Sequence, residues 1–349
     1  MRKLFTAMAA SAALLAAGAA APAWSADEEV SWKVGSPVGP NDPTTLNMQE
    51  VAEQVAARTG GKFKIEIVPL ETIGFKNIDE LRVLKQGVLD AVYLVPYYLS
   101  RDEPLLAAMM PHGALIDPND NLKIKDVQYE IAKEILEGDK WQLKMIAPAP
   151  FGALSEIVAV TTTPVNSLEG LRKLKFRHFT KAGLQAFNEL GVSTQVIPSS
   201  ELYLALQTGV LDGSVYGPTY LKSQSIHEVA CCYAYIGAFT ASYPFSLVST
   251  QKAWEALPAD YQKVLVEVNT EMNAKSWEGW ATGADEKAAD AFLAEKGMQK
   301  LEPFPLADRE AIQAAMFKVW AEEAEKIGPK AVENMNRIIE ALKSGKSAS

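Results

Sequence analysis

The chain has 349 residues, 34 basic against 43 acidic with 3 His, and is 48% apolar and 22% charged. These are globular values that exclude a disordered, collagen-like or coiled-coil chain, and the length exceeds what one compact core usually supports, so two lobes are expected. A net charge of −9 argues against a nucleic-acid partner, which wants clustered Lys and Arg. Three His and two Cys offer almost no ligands for multi-site zinc or iron–sulfur chemistry, and no metal or cofactor is expected.

Residues 1–25 read as a secretory signal peptide. Arg2 and Lys3 form a positive start, Phe5 to Ala21 is apolar and Ala-rich, and Ala23-Trp24-Ser25 places small residues before a cleavage point at Ala26. An uncleaved anchor is the alternative, disfavoured because the apolar run is short for a spanning helix. No later stretch runs 18 residues without a charge, so the exported protein is expected in the periplasm with no membrane insertion after cleavage. Cys231 and Cys232 are the only cysteines and are adjacent. They read either as two small half-buried side chains near a strand end or as a disulfide between neighbours; the first is preferred on geometry.

In chain order, Val30 to Val34 alternates as a strand. Asp42-Pro43 caps a helix that Gly60 ends. Lys62 to Val68 alternates again, Asn77-x-x-Glu80 has capping-box spacing before a helix ended by Gly87, and Val88 to Val95 reads as a buried strand. Asp117-x-Asn119-x-Asn121 begins like a calcium loop but has Leu122 and Gln128 at the defining Gly and Glu positions, so a solvated turn is expected. The grammar then repeats. Lys173 to Arg177 is a strand, Thr180 caps a helix to Leu190, Val192 to Ile197 is a strand, Ser199 or Ser200 caps a helix to Gly209, and Val210 to Tyr216 is a strand. Strands alternating with helices predict an α/β fold. Pro258 to Glu295 lacks an internal Pro and predicts one helix up to about 55 Å long. Gly279 and Gly283 in its middle serve either close packing, the preferred reading, or a bend. The tail to Leu342 is helical, and 343–349 are expected to fray.

Gln86 to Leu99 (QGVLDAVYLVPYYL) and Thr208 to Leu221 (TGVLDGSVYGPTYL) match at seven of fourteen positions. Each is a Gly stop, an apolar strand and an aromatic, Pro-containing loop. Ligands of open α/β sheets bind outside the C-terminal ends of strands, so two facing copies would line a cleft with aromatics. No nucleotide-binding, P-loop, nucleophile-elbow or H-E-x-x-H motif occurs, and no enzyme class is indicated. Arg177 ends a strand just before the helix start at Thr180. It reads equally as a surface Arg or as a carboxylate grip, since a guanidinium holds a carboxylate with two parallel bonds.

Ser167 to Arg177 (SLEGLRKLKFR) resembles the "DLKGLKIR" stretch, and Ser200 to Gly213 (SELYLALQTGVLDG) the "sEvYtALQqGvvDG" signature, of DctP-type solute-binding proteins of TRAP (tripartite ATP-independent periplasmic) transporters. Val68 to Gly74 with Leu84 and Gly87 to Asp90 resembles their first-lobe pattern. The resemblance implies a two-lobed, type II-like α/β binding protein with a central cleft and a long helix along both lobes. The first lobe would be 26–154 with about 242–281, and the second 155–241 with about 282–342. It implies capture of a small organic acid and delivery to the small and large membrane subunits of a TRAP permease. It puts the carboxylate on Arg177, with Val215, Tyr216 and the Tyr93 to Tyr98 strand end in the pocket. Phe179, Tyr220, Tyr93, Tyr97 and Tyr98 are expected as walls and hydroxyl donors, each with core packing as the alternative. Tyr216 stands where many members have Asn, Ile157 stands near a commonly polar pocket position beside Glu156, and Lys173 replaces a Gly; Glu156 is a pocket candidate that either meets a cation or an amine or, the preferred reading, is exposed. One cation among aromatics favours a monocarboxylate over a C4-dicarboxylate. An ABC-importer binding protein and a periplasmic enzyme on the same scaffold are the rival readings.

Overall fold

The computed structural model describes residues 28–344 apart from 111–112, 116, 118, 151–155, 198 and 240–243. The signal-peptide reading therefore lies outside the described residues. Among the described residues eleven strands form two sheets. The first holds β1 (Val30–Ser36), β2 (Phe63–Pro69), β3 (Ala91–Leu94), β4 (Leu143–Pro148) and β10 (Ser246–Thr250) in the order β2-β1-β3-β10-β4. The second holds β5 (Glu156–Thr161), β6 (Lys175–Arg177), β7 (Ser193–Gln195), β8 (Gly213–Tyr216), β9 (Cys232–Phe239) and β11 (Gln299–Lys300) in the order β11-β9-β5-β8-β6-β7. The chain leaves the first sheet after β4 and returns with β10, which inserts antiparallel between β3 and β4. This is the two-lobed mixed α/β architecture of periplasmic binding proteins.

Hydrophobic periodicity accounts for the core. On β1, Trp32 and Val34 point to the side covered by the helix Pro43–Arg58, where Phe63 lies between the Trp32 edge (centroids 5.6 Å apart) and the stacked Tyr261 ring (5.7 Å). Such ring pairs add about 0.5–1.5 kcal/mol each beyond area burial. The helix Leu306–Ile327 buries Ile312, Met316, Val319 and Trp320 at helical spacing, and the Trp320 indole donates to the Ala108 carbonyl of the other lobe. The last helix, Pro329–Ser344, packs on Asn119–Glu137, where Arg337 grips Glu134 through two bonds of 2.9 and 2.8 Å. The sequence reading groups this segment with the second lobe; the helix packs both on Leu306–Ile327 and on Asn119–Glu137 and runs to Ser344.

The echo has a structural counterpart. Asp90 and Asp212 each brace the adjoining strand in the same way, their carboxylates accepting the backbone N–H of Lys33 (2.7 Å) and Lys175 (2.8 Å). Pro96 and Pro218 each open a short helical turn after the strand.

Four expectations change. The single helix from Pro258 to Glu295 is two, Ala259–Ala281 and Ala284–Glu295, because Gly283 takes a left-handed φ of 63°, which only Gly adopts without strain. The Asn77–Glu80 capping box is not formed. Asp79 instead accepts the Lys76 N–H (3.0 Å), and Glu80 turns into the core to accept the Val95 N–H (2.7 Å), with burial raising its carboxyl well above the usual range. The Asp117 to Asn121 stretch is not a solvated turn: a helix runs from Asn119 to Glu137 and buries Asn121. Finally, Cys231 and Cys232 are joined in a disulfide rather than left as two thiols. With no third cysteine in the chain each has only the other, and the Thr161 carbonyl and Gln299 N–H hold the Cys231 backbone at the strand end where they meet.

Candidate ligand-binding cleft

Between the lobes lies a cleft of about 2090 Å³, larger than a small-molecule pocket needs, so a small ligand would occupy only part of it. Arg177 forms one wall. It ends β6, in register with Ser214 of β8, and is 1% exposed. Its Nε donates to the Ile197 carbonyl (2.9 Å), Nη1 to Ser214 Oγ (3.4 Å) and Nη2 to Ser199 Oγ (3.0 Å). The guanidinium also lies over the Tyr216 ring (5.5 Å) and the Phe179 ring (5.9 Å). Three of its five N–H groups are thus spent on neutral oxygens. One hydrogen on each terminal nitrogen remains to be given to a ligand. Burial lowers its pKa from the usual guanidinium value, the mark of a cation taken out of water without an anion beside it. Next to it the helix Lys181–Glu189 begins, N-capped by Thr180 Oγ, which accepts the Gly183 N–H (3.1 Å); Lys181, Ala182 and Gln185 line the cleft.

The aromatics come from both lobes. Tyr216 and Tyr220 (centroids 5.1 Å) stand on the second lobe's side, and Tyr97 and Tyr98 (4.5 Å) on the first, with Phe245 behind Tyr97 (6.0 Å). Phe179 and Ile157 complete the floor. Burial pushes the Tyr98 phenol up to about 12 and raises those of Tyr216 and Tyr220. These three therefore meet a ligand as neutral O–H groups. Tyr220 lines the cleft together with Asp42 and Thr44, at the start of the first lobe's helix Pro43–Arg58. Among the described residues no three His, Cys, Asp or Glu side chains converge as a metal site requires.

Three expected site residues are elsewhere. Tyr93 is 1% exposed, and its hydroxyl donates to Asn269 Oδ1 (2.8 Å) inside the first lobe. Val215 is fully buried in the core with Phe176 and Phe187. These two are equivalent positions of the echo, one residue before Leu94 and Tyr216, and strand alternation turns both away from the surface that Tyr216 presents. Glu156 is neither exposed nor on the cleft. It is half-buried, its Oε1 accepting the Gly237 N–H (3.2 Å), while its own N–H donates to Glu286 Oε1 (2.9 Å). Sequence reasoning missed Ser214 as a partner of Arg177 and gave Ser199 only a capping role. Parallel register with the Arg177 strand is the signal for Ser214; nothing local marks Ser199.

Burial, and then the charge of Glu286, push the Glu156 carboxyl up to about 7. Between the unfolded range, about 4.3, and that value the folded chain holds a proton that the unfolded chain has released. Stability therefore falls as pH rises through this window. Glu156→Gln keeps an acceptor for Gly237 and should remove that slope. The variant is expected to match the wild type near pH 4 and to exceed it above pH 7 by about 1 kcal/mol, after allowance for solvent screening. Parallel melting-temperature curves against pH would contradict this.

The family model for bacterial extracellular solute-binding protein, family 7 (DctP) matches residues 34–326. The chain is 25% identical over 318 residues to the C4-dicarboxylate-binding periplasmic protein DctP of Rhodobacter capsulatus, covering 87% of this chain and 90% of that one. It is also 25% identical over 314 residues to a monocarboxylate 2-oxoacid-binding periplasmic protein of Nostoc sp. strain PCC 7120, covering 85% and 80%. In fold it is similar to an extracytoplasmic solute receptor of Bordetella pertussis binding pyroglutamic acid, with a TM-score of 0.75 at 19% identity over 90% of this chain and 99% of that one. A match over most of the chain, carried on this two-lobed fold, means that the protein belongs to the DctP family of bacterial extracellular solute-binding proteins, the receptors of TRAP transporters.

Proposed function

We propose that the protein captures a monocarboxylate between its lobes, with Arg177 as the carboxylate's partner, and hands it to the small and large membrane subunits of a TRAP permease. The family is one of extracytoplasmic transport receptors for organic acids rather than of enzymes. Residues 1–25 are read as the export signal; no helix among the described residues is long and apolar enough to cross a membrane.

The observation that carries the reading is the buried Arg177 guanidinium, with no carboxylate among its hydrogen-bond partners and two N–H groups left to give. A desolvated cation is costly until an anion joins it. The relatives do not choose between ligand classes, since a dicarboxylate and a monocarboxylate receptor are equally identical. Charge placement supports the choice. The other cations on the cleft, Lys76, Lys181, Lys222, Lys275 and Lys326, are all exposed at its rim, and a second carboxylate on the aromatic floor would have no buried partner. A thermal-shift screen tests this. A ligand at 100 times its dissociation constant stabilises by about 2.7 kcal/mol, and monocarboxylates are expected to give the largest shifts. Shifts from succinate, malate or fumarate with none from monocarboxylates would overturn it.

A further inference from the structure

Asp42 lies on the opposite, first-lobe wall of the cleft and is 9% exposed. It is the N-cap of the helix Pro43–Arg58: its Oδ1 accepts the Thr44 N–H (2.8 Å), and that is its one side-chain hydrogen bond among the described residues. No Lys, Arg or His of the described chain pairs with it. The helix's positive end offsets part of its charge, but its second oxygen keeps its lone pairs. Asp42 sits where the lobes meet, on the cleft that Tyr216 and Tyr220 line from the other side. The Tyr216 phenol senses both charges, held down by Arg177 and pushed up by Asp42. The cleft therefore sets a buried cation and a buried anion on facing walls around one aromatic pair, neither satisfied by the other.

We infer that the ligand carries, besides its carboxylate, an N–H donor or cationic nitrogen received by Asp42, so that amino acids or cyclic amino or lactam acids are bound in preference to nitrogen-free acids of the same shape. This rests on the carboxylate reading of Arg177. A nitrogen-free acid would desolvate Asp42 without giving it a partner, whereas an N–H would make a charge-assisted bond there. Specificity arises in such a site because the wrong ligand leaves a buried polar group unpaired.

The test measures dissociation constants for matched acids, among them proline against cyclopentanecarboxylate and valine against 3-methyl-2-oxobutanoate, in a panel spanning small to aromatic side chains. In the wild type the nitrogen-bearing member is expected to bind at least about tenfold tighter. Asp42→Asn retains an equally good helix cap and so should leave the melting temperature of the free protein unchanged. It is expected to reduce that preference to about twofold or less, because the nitrogen-bearing member loses its charge-assisted bond and the nitrogen-free member no longer desolvates a charge. Arg177→Ala should weaken both members alike, by roughly thirtyfold or more. Equal binding of the pair by the wild type, or an equal loss for both members in Asp42→Asn, would overturn the inference while leaving Arg177 in its role. Binding of both members undiminished in Arg177→Ala would overturn the carboxylate reading instead.

Discussion

Arg177→Ala is expected to weaken binding of a carboxylate ligand by about 2–5 kcal/mol, the usual cost of removing one side of a buried, hydrogen-bonded charge pair. That corresponds to roughly thirtyfold to a few thousandfold in dissociation constant. The effect on the free protein should be much smaller. The variant loses bonds to the Ile197 carbonyl, Ser199 and Ser214, but it also sheds a desolvated cation that has no anion beside it, and the two contributions oppose one another. Arg177→Lys separates charge from geometry. A single ammonium cannot reach the Ile197 carbonyl, both serines and a two-point carboxylate at once, nor can it lie flat over Tyr216 and Phe179. It should recover little of the affinity. Calorimetry with a monocarboxylate found by screening decides the matter: equal affinity in wild type and Arg177→Ala moves the site elsewhere, and full recovery in Arg177→Lys leaves only a point charge at work.

The second large effect is expected at Gly183, the third residue of the helix Lys181–Glu189. Replacing Gly by Ala inside a helix usually stabilises by about 1 kcal/mol. Here the opposite sign is expected. A Cβ on Gly183 would stand 2.0, 2.1 and 2.3 Å from Cε1, Nδ1 and Nε2 of His178. That ring is fully buried, stacked on Phe179 (4.8 Å) and tilted against Phe187 (5.6 Å), so it has no solvent side to move to. Overpacking of this kind costs typically 1–3 kcal/mol, which exceeds the propensity gain. The residue being pushed is next to Arg177 in sequence, and its N–H is bonded to the Gln195 carbonyl. Gly183→Ala should therefore unfold at lower denaturant and also bind ligand more weakly while folded. Denaturant melts and titrations on one preparation measure both. A stabilised variant with normal affinity would mean that the His178 ring relaxes freely and that Gly183 is there for other reasons.

Local chemistry was enough for much of the architecture. Asp42-Pro43 and Thr180 cap the helices they were expected to cap, their oxygens accepting the Thr44 and Gly183 N–H groups, because a cap needs only its own few residues. The repeated Gly stop, strand and Pro-aromatic loop placed Tyr98 and Tyr220 on the cleft. Arg177 stands out in the sequence because it lies between a strand end and a helix start, and the resemblance to the DctP family favours it over a surface Arg. What needed the tertiary structure was everything that depends on a partner distant in the chain. Period-two alternation says which residues share a face but not which face is wet. Tyr93 thus went to Asn269, 176 residues away, and Val215 to the core. β10 reaches the first sheet only after five strands of the second, β5 to β9, have intervened, a pairing that no local pattern encodes. Glu80 carries the charge of a capping residue and is buried, because the Val95 N–H at the end of β3 needed an acceptor. Asp42 reads locally as a helix cap and nothing more. Its place opposite Arg177 exists only because two lobes, each legible by itself, meet along a seam that their separate sequences do not describe.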